Sequence, residues 1–250
     1  MKRTLAVLLA VCCLTASLVS AEQVVVTNIQ EGLKGLKAKD KASGQALWTS
    51  KLNTRRTANA KGEPFLYIED NGTGIYGKDK TFKSWKTVTY IRISGDNLVP
   101  YSVKQTVKDK TGKVVFSLDK SYNATTKKVY CTVNGQPKSF DFQRDLLDKE
   151  MIGQVLMNYS LDKREITFHM LTHEPASYKM TLKYLGDEMM NGSNCYKLEM
   201  IPDLGALNLL GAFVPKTYFW YKKTLPHDFV RYEGLESGLG TPYIVMEAND

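Results

Sequence analysis

Two histidines, His169 and His173, have the four-residue spacing with which a helix presents two metal ligands on one face. Their flanks, REITF and EPAS, are instead typical of a strand that runs into a turn. Residues four apart on a strand lie about 13 Å from each other, which is too far for one ion unless a turn folds them together. The sequence therefore favours two surface histidines and predicts no metal site.

Catalytic side chains do not form a recognisable motif. After residue 21 the sequence contains no GxSxG, P-loop, HExxH or CxxC pattern. Carboxylate pairs such as Asp187/Glu188 and Glu233/Glu236 lie in polar, turn-like sequence. Any of these pairs could meet in three dimensions, but none carries a positive sign of acid–base chemistry. We therefore expect a protein that is not an enzyme and that needs no cofactor.

Two cysteines remain after residue 21, Cys131 in VYCTV and Cys195 in NCYKLEM. Apolar, strand-like surroundings do not activate a thiol, so both residues look structural. An oxidising compartment permits a disulfide between them if their Cα atoms come within about 7 Å of each other. The sequence leaves that pairing open.

The aromatic stretch TYFWYKK raises a question about what covers it. On a strand, Tyr218 and Trp220 point to one face, whereas Phe219 and Tyr221 point to the other. Both faces are aromatic, so one face must pack inside the fold and the other needs its own cover. That cover is a second sheet, the apolar segment that precedes the strand, or a ligand held beneath that segment.

The preceding segment, Asp203–Pro215, is DLGALNLLGAFVP and has no charge after Asp203. Asp203 caps a short predicted helix and Pro215 ends it. A helix that is apolar all round must be buried on every side or face something apolar. Because the segment directly precedes the aromatic strand, contact between them costs little loop entropy. We expect a lid over the sheet, with plain core as the alternative.

These features together predict a ligand site made of a lid, an aromatic wall and a rim of cations. The lid residues are Leu207, Leu210 and Phe213, the wall residues are Tyr218, Trp220 and Tyr232, and the cations that meet an anionic headgroup are Lys222, Lys223 and Arg231.

The elements that must position this site are mainly strands. Runs rich in β-branched and aromatic residues alternate with hairpin-turn signals such as DKTGK (Asp109–Lys113) and VNGQ (Val133–Gln136). This rhythm predicts a mainly β fold, a single antiparallel curved sheet (half-barrel) of roughly ten or more strands. Two or three short helices cover its concave face, and the helical candidates are Glu22–Asp40, Asp145–Tyr159 and Asp203–Pro215.

Residues 1–21, MKRTLAVLLAVCCLTASLVSA, have the basic start, short apolar run and small-residue exit of a cleaved secretory signal. Lipidation at Cys12 or Cys13 and an uncleaved anchor are the alternatives. Residues 22–250 then form a single domain, which we expect in the periplasm, with association with the outer membrane as a further expectation.

The formal net charge of +8 includes Lys2 and Arg3, whose removal with the signal leaves +6. A secreted basic protein meets anionic lipid headgroups or acidic glycans more readily than nucleic acid. We therefore expect no nucleic-acid partner.

The end of the chain, YFWYKKTLPHDFVRYEGLESGLGTPYIVMEA, resembles the closing strands of the LolA/LolB-type periplasmic lipoprotein-carrier superfamily. The resemblance rests on an aromatic strand with Trp220, then Pro226, then a strand that carries Arg231 and Tyr232. It covers mainly the last forty or so residues and the general strand rhythm. The resemblance implies a half-barrel of antiparallel strands, a helical lid and an apolar cavity for acyl chains.

The leading hypothesis is a periplasmic, non-enzymatic binding protein that sequesters a lipid, an acyl chain or a lipoprotein in an apolar cavity. The runner-up is an envelope interaction or structural protein, whose sheet is fully packed and whose edge binds a protein partner by strand addition. A hydrolase that acts on lipid or glycan is the third class, and it requires a cleft with convergent polar groups.

Overall fold

A computed structural model describes residues 29–141, 145–158, 165–172, 176–203, 205 and 215–249. Fifteen strands in these ranges form one sheet. The strands are β1 (Gly32–Asp40), β2 (Ala46–Ala58), β3 (Pro64–Tyr76), β4 (Thr81–Ser94), β5 (Asn97–Asp109), β6 (Val114–Asn123), β7 (Lys128–Val133), β8 (Gln136–Asp141), β9 (Leu146–Asp148), β10 (Glu165–Leu171), β11 (Ser177–Met190), β12 (Ser193–Pro202), β13 (Thr217–Lys222), β14 (Phe229–Leu235) and β15 (Tyr243–Asn249).

The sheet is an antiparallel meander with one unusual join. Its order is β8-β7-β6-β5-β4-β3-β2-β1-β15-β14-β13-β12-β11-β10-β9, so that the first and last strands pair in the middle of the sheet. Among the strand pairs of the described ranges, only the short pair β9–β10 is parallel. The predicted hairpin turns are confirmed: Gly112 has a φ of +86°, and Asn134 and Gly135 both have a positive φ, as a tight two-residue turn requires.

One short segment contacts both halves of the sheet. We call residues 145–158 the inner segment; after β9 it forms a 3₁₀ turn, Lys149–Met151, and a helix α1, Ile152–Met157. Its Met151 and Val155 pack with core residues of β3, β4 and β5, whereas Leu156 and Met157 pack with core residues of β10 to β13. A six-residue helix can reach both halves only if the sheet curves around it.

The two ends of the sheet also approach each other. Asp148 of β9 lies 2.7 Å from the ammonium of Lys120 in β6, and it accepts a hydrogen bond from the Tyr122 hydroxyl. Leu146 of β9 packs in the same cluster as Val129 of β7. The fold is therefore a strongly curved, half-barrel-like sheet, in agreement with the predicted fold class.

The helix predictions need correction. The first candidate, Glu22–Asp40, contains β1, because Gly32–Asp40 pairs with β2 on one side and with β15 on the other. The second, Asp145–Tyr159, contains a three-residue strand, a 3₁₀ turn and a helix of only six residues. Most of the third, Asp203–Pro215, lies outside the described residues, as does the predicted signal. The described residues thus hold one α-helix instead of two or three.

Among the described residues, no helix combines the length and the apolar character needed to span a bilayer.

Candidate functional site

The two aromatic faces of β13 are covered in different ways. Phe219 and Tyr221 belong to the core cluster that contains Leu156 of α1, so they face the inside of the curved sheet. Tyr232 of β14 lies opposite Phe219, with the ring centroids 5.2 Å apart, and shares that inner face. Trp220 belongs to a separate cluster with Cys195 and therefore lies on the outer face. The inner segment covers one face, and no second sheet is needed.

The inner surface of β10 to β14 is apolar and rich in methionine. We call it the inner apolar face, and its residues are Phe168, Met170, Met180, Leu182, Leu198, Met200, Phe219, Tyr221, Phe229 and Tyr232. Alternation in β11 was predicted correctly here, since Met180 and Leu182 both point inward and are buried. Helix α1 covers this face with Leu156 and Met157.

Helix α1 is held in place mainly by packing. Its N-cap residue, Met151, makes no side-chain capping hydrogen bond, and the helix has six residues. A helix of that length is not stable by itself in water. The Tyr221 hydroxyl donates a long hydrogen bond of 3.5 Å to the Gly153 carbonyl, and burial raises the pKa of Tyr221. Gly153 itself is exposed, and a Cβ built there would contact nothing within 4 Å.

Long cationic side chains cover the outer face of β13. The ammonium of Lys197 lies 5.1 Å from the Trp220 ring centroid and 5.2 Å from that of Tyr218, and the guanidinium of Arg231 lies 5.7 Å from that of Trp220. Such cation–π contacts, with the apolar stems of both cations, bury Trp220 without a second layer. The outer face of β13 is therefore covered by these side chains.

The predicted headgroup cations all have acidic partners. Lys222 pairs with Asp228 at 3.4 Å. Lys223 pairs with Asp187, and its hydrogen bond is the main cause of the lowered pKa of Asp187. Arg231 pairs with two outer-face carboxylates, those of Glu233 and Glu247.

Of the predicted site residues, only Tyr232 lies on the inner face among those described. Tyr218, Trp220, Lys222 and Arg231 lie on the outer face, Lys223 follows the end of β13, and Leu207, Leu210 and Phe213 lie outside the described residues. The structure thus does not bring the predicted wall together, because Tyr232 and Trp220 point to opposite faces of the sheet.

Cys131 and Cys195 are free thiols, so the disulfide that the sequence permits is not formed. Cys131 packs with Leu146 of the inner segment, whereas Cys195 packs with Trp220 on the outer face. Their strands also lie in opposite halves of the sheet, and burial raises the pKa of both thiols.

His169 lies beside a carboxylate, with its Nδ1 2.8 Å from Asp145 Oδ2, whereas His173 is outside the described residues. The described part of the chain holds no group of three or more His, Cys, Asp or Glu side chains arranged for a metal ion.

A second group of inner residues was missed by the sequence reading. Trp48 and Trp85 meet edge to face with centroids 5.5 Å apart, and Tyr76 lies 4.9 Å from Trp85. Each indole donates to a carboxylate at 2.7 Å, Trp48 to Glu236 and Trp85 to Asp70. We call these five residues, with Tyr232, the aromatic chamber.

Glycines in β3 make room for the chamber. A Cβ on Gly72 would lie 2.0 Å from the Trp85 ring, and one on Gly74 would lie 2.5 Å from the Trp48 Cα. Glycine inside a strand is a known sign of a close approach by another group. The motif NGTG within β3 carried that signal, but only the strand register shows that the two tryptophans are the residues that approach.

Burial perturbs the carboxylates of the chamber. It is the main cause of the raised pKa values of Asp70 and Glu236. Lys149 of the inner segment pairs with Glu150 at 2.9 Å and interacts electrostatically with Tyr76, Asp70 and Glu236. Burial opposes the charge of Lys149, but Glu150 and the other acidic neighbours outweigh it and raise the pKa of Lys149.

Comparisons with known proteins identify no family for this chain. No protein-family model matches the chain, and no curated protein matches it. Among solved structures, the chain is similar to a β-barrel-like protein of a domain of unknown function, DUF1849, from Brucella abortus. The sequence identity is 8% and the TM-score is 0.49, and the match covers 87% of this chain and 93% of that one.

Proposed function

We propose that this protein is a non-enzymatic, periplasmic binding protein that holds the apolar chain of a lipid or lipoprotein on the inner apolar face, beneath helix α1. One observation carries the proposal: a broad, methionine-rich inner face is covered by a single short helix whose N-cap residue makes no side-chain capping hydrogen bond.

The composition of the inner apolar face suits a variable chain. Met170, Met180 and Met200 of this face are unbranched and polarizable, and methionine adapts its shape to different apolar partners. Each methylene buried from water contributes about 0.8 kcal/mol, so a long acyl chain can replace the contacts that α1 makes. The binding surface is therefore one that an acyl chain can occupy in place of the helix.

The mechanism is sequestration by exchange. Helix α1 moves away from β13, the Tyr221–Gly153 hydrogen bond opens, and the ligand chain takes the space that Leu156 and Met157 occupied. No covalent step is involved. The anchored end of the inner segment is β9, which stays in the sheet through its pairing with β10.

Two adjacent residues of β13 provide a matched test. Phe219 and Trp220 are 6% and 3% exposed, but they lie on opposite faces of the sheet. Phe219→Ala should weaken binding of the neutral apolar dye N-phenylnaphthylamine about tenfold, whereas Trp220→Ala should change it by less than about twofold. If either alanine variant lacks the native circular dichroism spectrum, Phe219→Leu and Trp220→Leu replace the pair.

The wild-type protein, purified from a periplasm, should also retain a mass in native mass spectrometry that organic extraction identifies as lipid. Equal loss of dye binding in both variants, or no binding by the wild type, would refute the proposal.

A protein-binding role is the second candidate, and the edge strand β8 favours it. Among the described strands β8 pairs only with β7, and five of its six residues are exposed. An extended peptide can add to such an edge. However, Pro137 and Lys138 lie on β8, and both residue types are used to blunt sheet edges. This role would be favoured if native mass spectrometry of the wild type showed no retained lipid and if β8 captured a protein partner.

A further inference from the structure

Strands β2 to β6 carry an excess of cations on the side of the sheet that faces away from the core. Residues directly opposite each other in neighbouring strands share a face, so the register assigns every charged side chain of these strands to one side. The cations on the outward side are Lys51, Arg55, Lys86, Arg92, Lys104 and Lys108, and the carboxylates there are those of Glu69 and Asp119. The other charged residues, Arg56, Asp70, Lys83, Asp109 and Lys120, belong to inward rows. We call the outward side of β2 to β6 the basic face.

The two carboxylates of the basic face neutralise only part of its charge. Lys86 Nζ lies 2.9 Å from Glu69, and Lys104 Nζ lies 3.2 Å from Asp119. In the described part of the chain, no carboxylate lies within ion-pair distance of the other four cations, Lys51, Arg55, Arg92 and Lys108. The outer face of β14 differs, because Arg231 pairs there with two carboxylates. The basic face therefore favours an anionic partner.

An open groove lies on the basic face between β4 and β5. It has a volume of about 440 Å³, and its lining includes Ser84, Lys86, Val88, Lys104, Thr106 and Lys108. The three lysines are exposed, so their ammonium groups are accessible to a ligand in the groove. A groove lined by cations concentrates the potential that attracts an anion. The hydroxyls of Ser84 and Thr106 both donate and accept hydrogen bonds.

Aromatic rings continue this strip along the same strands. Tyr90 lies on β4 just beyond the groove and opposite Tyr67 of β3, with the ring centroids 5.3 Å apart. Phe65 follows on β3, 4.7 Å from the ring of Tyr101, which is 46% exposed. The distance along β4 from Ser84 to Tyr90 is about 20 Å. The basic face thus offers an extended ligand cations and hydroxyls first and aromatic rings next.

This combination matches the chemistry of an acidic polysaccharide. A sugar ring has an apolar C–H face that packs on an aromatic ring, and its hydroxyls exchange hydrogen bonds with serine and threonine. Its acidic groups form charge-assisted hydrogen bonds with ammonium groups. A bilayer is planar and is held by apolar side chains that protrude into it, whereas the groove is recessed.

We propose that the basic face binds an acidic polysaccharide, which lies along the groove between β4 and β5. Its anionic groups contact Lys86, Lys104 and Lys108, and its sugar rings reach Tyr90 and Tyr101. This inference goes beyond the proposed function, because the groove and the inner apolar face lie on opposite sides and in different halves of the sheet. The protein can therefore hold the glycan and the lipid chain independently.

Four probes test the proposal at neutral pH and about 0.1 M ionic strength, where distant exposed charges are largely screened. Hexagalacturonate has sugar rings and carboxylates, its methyl ester has the rings without the charge, and hexaglutamate has the charge without the rings. The fourth probe is a phosphatidylglycerol vesicle. In isothermal titration calorimetry, hexagalacturonate should bind at least about tenfold more tightly than its methyl ester and at least about threefold more tightly than hexaglutamate.

A matched pair of variants locates the site. Lys104 and Lys216 are 70% and 66% exposed and pair with carboxylates at 3.2 and 3.3 Å, but Lys216 precedes β13 in the other half of the sheet. Lys104→Gln should weaken hexagalacturonate binding about threefold, whereas Lys216→Gln should change it by less than about 1.5-fold. Replacing Lys86, Lys104 and Lys108 together by glutamine should weaken it at least about tenfold and leave binding of N-phenylnaphthylamine unchanged.

A further variant tests the aromatic part of the site. Tyr101→Leu keeps apolar cover over Phe65 but removes the ring, so it should weaken hexagalacturonate binding about threefold and leave hexaglutamate binding unchanged.

The alternatives have distinct outcomes. Equal binding of hexagalacturonate and its methyl ester, or equal effects of Lys104→Gln and Lys216→Gln, would overturn the proposal. Hexaglutamate binding as tightly as hexagalacturonate would overturn it in favour of an acidic protein segment. Vesicle binding without hexagalacturonate binding would overturn it in favour of a membrane surface. None of these results alters dye binding to the inner apolar face, so the two proposals fail separately.

Discussion

The buried ion pair between Lys120 and Asp148 should be the most sensitive point of the fold. Both side chains are nearly inaccessible, at 0% and 1% exposure, and their charged atoms lie 2.7 Å apart. Asp148 also caps the 3₁₀ turn, because its Oδ1 accepts from the Glu150 amide at 2.9 Å. One carboxylate therefore links β6, β9 and the 3₁₀ turn of the inner segment.

Replacing Lys120 with methionine removes the cation and leaves a buried carboxylate with hydrogen bonds from neutral groups only. Losing one partner of a fully buried pair costs about 3–5 kcal/mol. That is a large share of the total stability of a domain, which is about 5–15 kcal/mol. The double variant Lys120→Met, Asp148→Asn removes both charges and keeps the capping oxygen, so its stability should lie within about 1 kcal/mol of wild type.

Urea unfolding followed by both tryptophan fluorescence and far-UV circular dichroism measures these differences. The control is Lys104→Met, because Lys104 pairs with Asp119 at 3.2 Å with side-chain exposures of 70% and 51%. Removal of such an exposed pair should cost less than about 1 kcal/mol. The reasoning is refuted if Lys120→Met costs no more than Lys104→Met, or if the double variant is as unstable as the single one.

Three further predictions follow from the inner segment and the buried groups. Gly153→Ala should raise the free energy of unfolding by about 0.5–1 kcal/mol, because alanine favours the helix and meets no neighbour, and it should slow dye uptake in stopped-flow fluorescence if α1 must move. Asp70→Asn should stabilise the protein at neutral pH but not below the ordinary carboxyl pKa. The pKa of Asp70 is raised in the folded state, so the wild type loses stability as the pH rises from the ordinary carboxyl pKa through the raised one, and the asparagine variant does not. Urea unfolding at several pH values from acidic to neutral measures the stability difference between variant and wild type, and a difference that does not change with pH would contradict the prediction. Cys131 and Cys195 should react with Ellman's reagent only after denaturation, and rapid labelling of the native protein, or a disulfide mass in the unreduced protein, would contradict the buried free thiols.

Local pattern was sufficient for the class of the fold. Alternation in SYKMTLKYL placed Met180 and Leu182 on the buried side, and the turn sequences around Gly112 and Gly135 adopt the expected positive φ. Such signals depend only on neighbours in the chain. They therefore predicted a meander of strands, but they could not predict which strands lie in the middle of the sheet.

The predictions that proved wrong depended on which residues pair across the sheet, and those residues are far apart in the sequence. Leu33 and Leu36 have a helical spacing, but β1 is fixed by pairing with β2 and with β15 at the far end of the chain, which outweighs local propensity. Likewise, Trp220 and Tyr232 were grouped as one wall, although the register of β13 and β14 puts Tyr232 opposite Phe219. The aromatic chamber could not be predicted from the sequence for the same reason, because it is the β3–β4 register that brings Trp85 against Gly72.

The central pairing of β1 with β15 has a consequence for how the chain folds. Strands β1 to β8 are joined by short hairpins, so that half can form as soon as it is synthesised. One edge of β1, however, stays open until β15, the last strand of the sheet, arrives and pairs with it from Gly35 to Asp40. Sheet completion therefore waits for the end of the chain, and the open edge of β1 is the surface that needs protection from wrong partners until then.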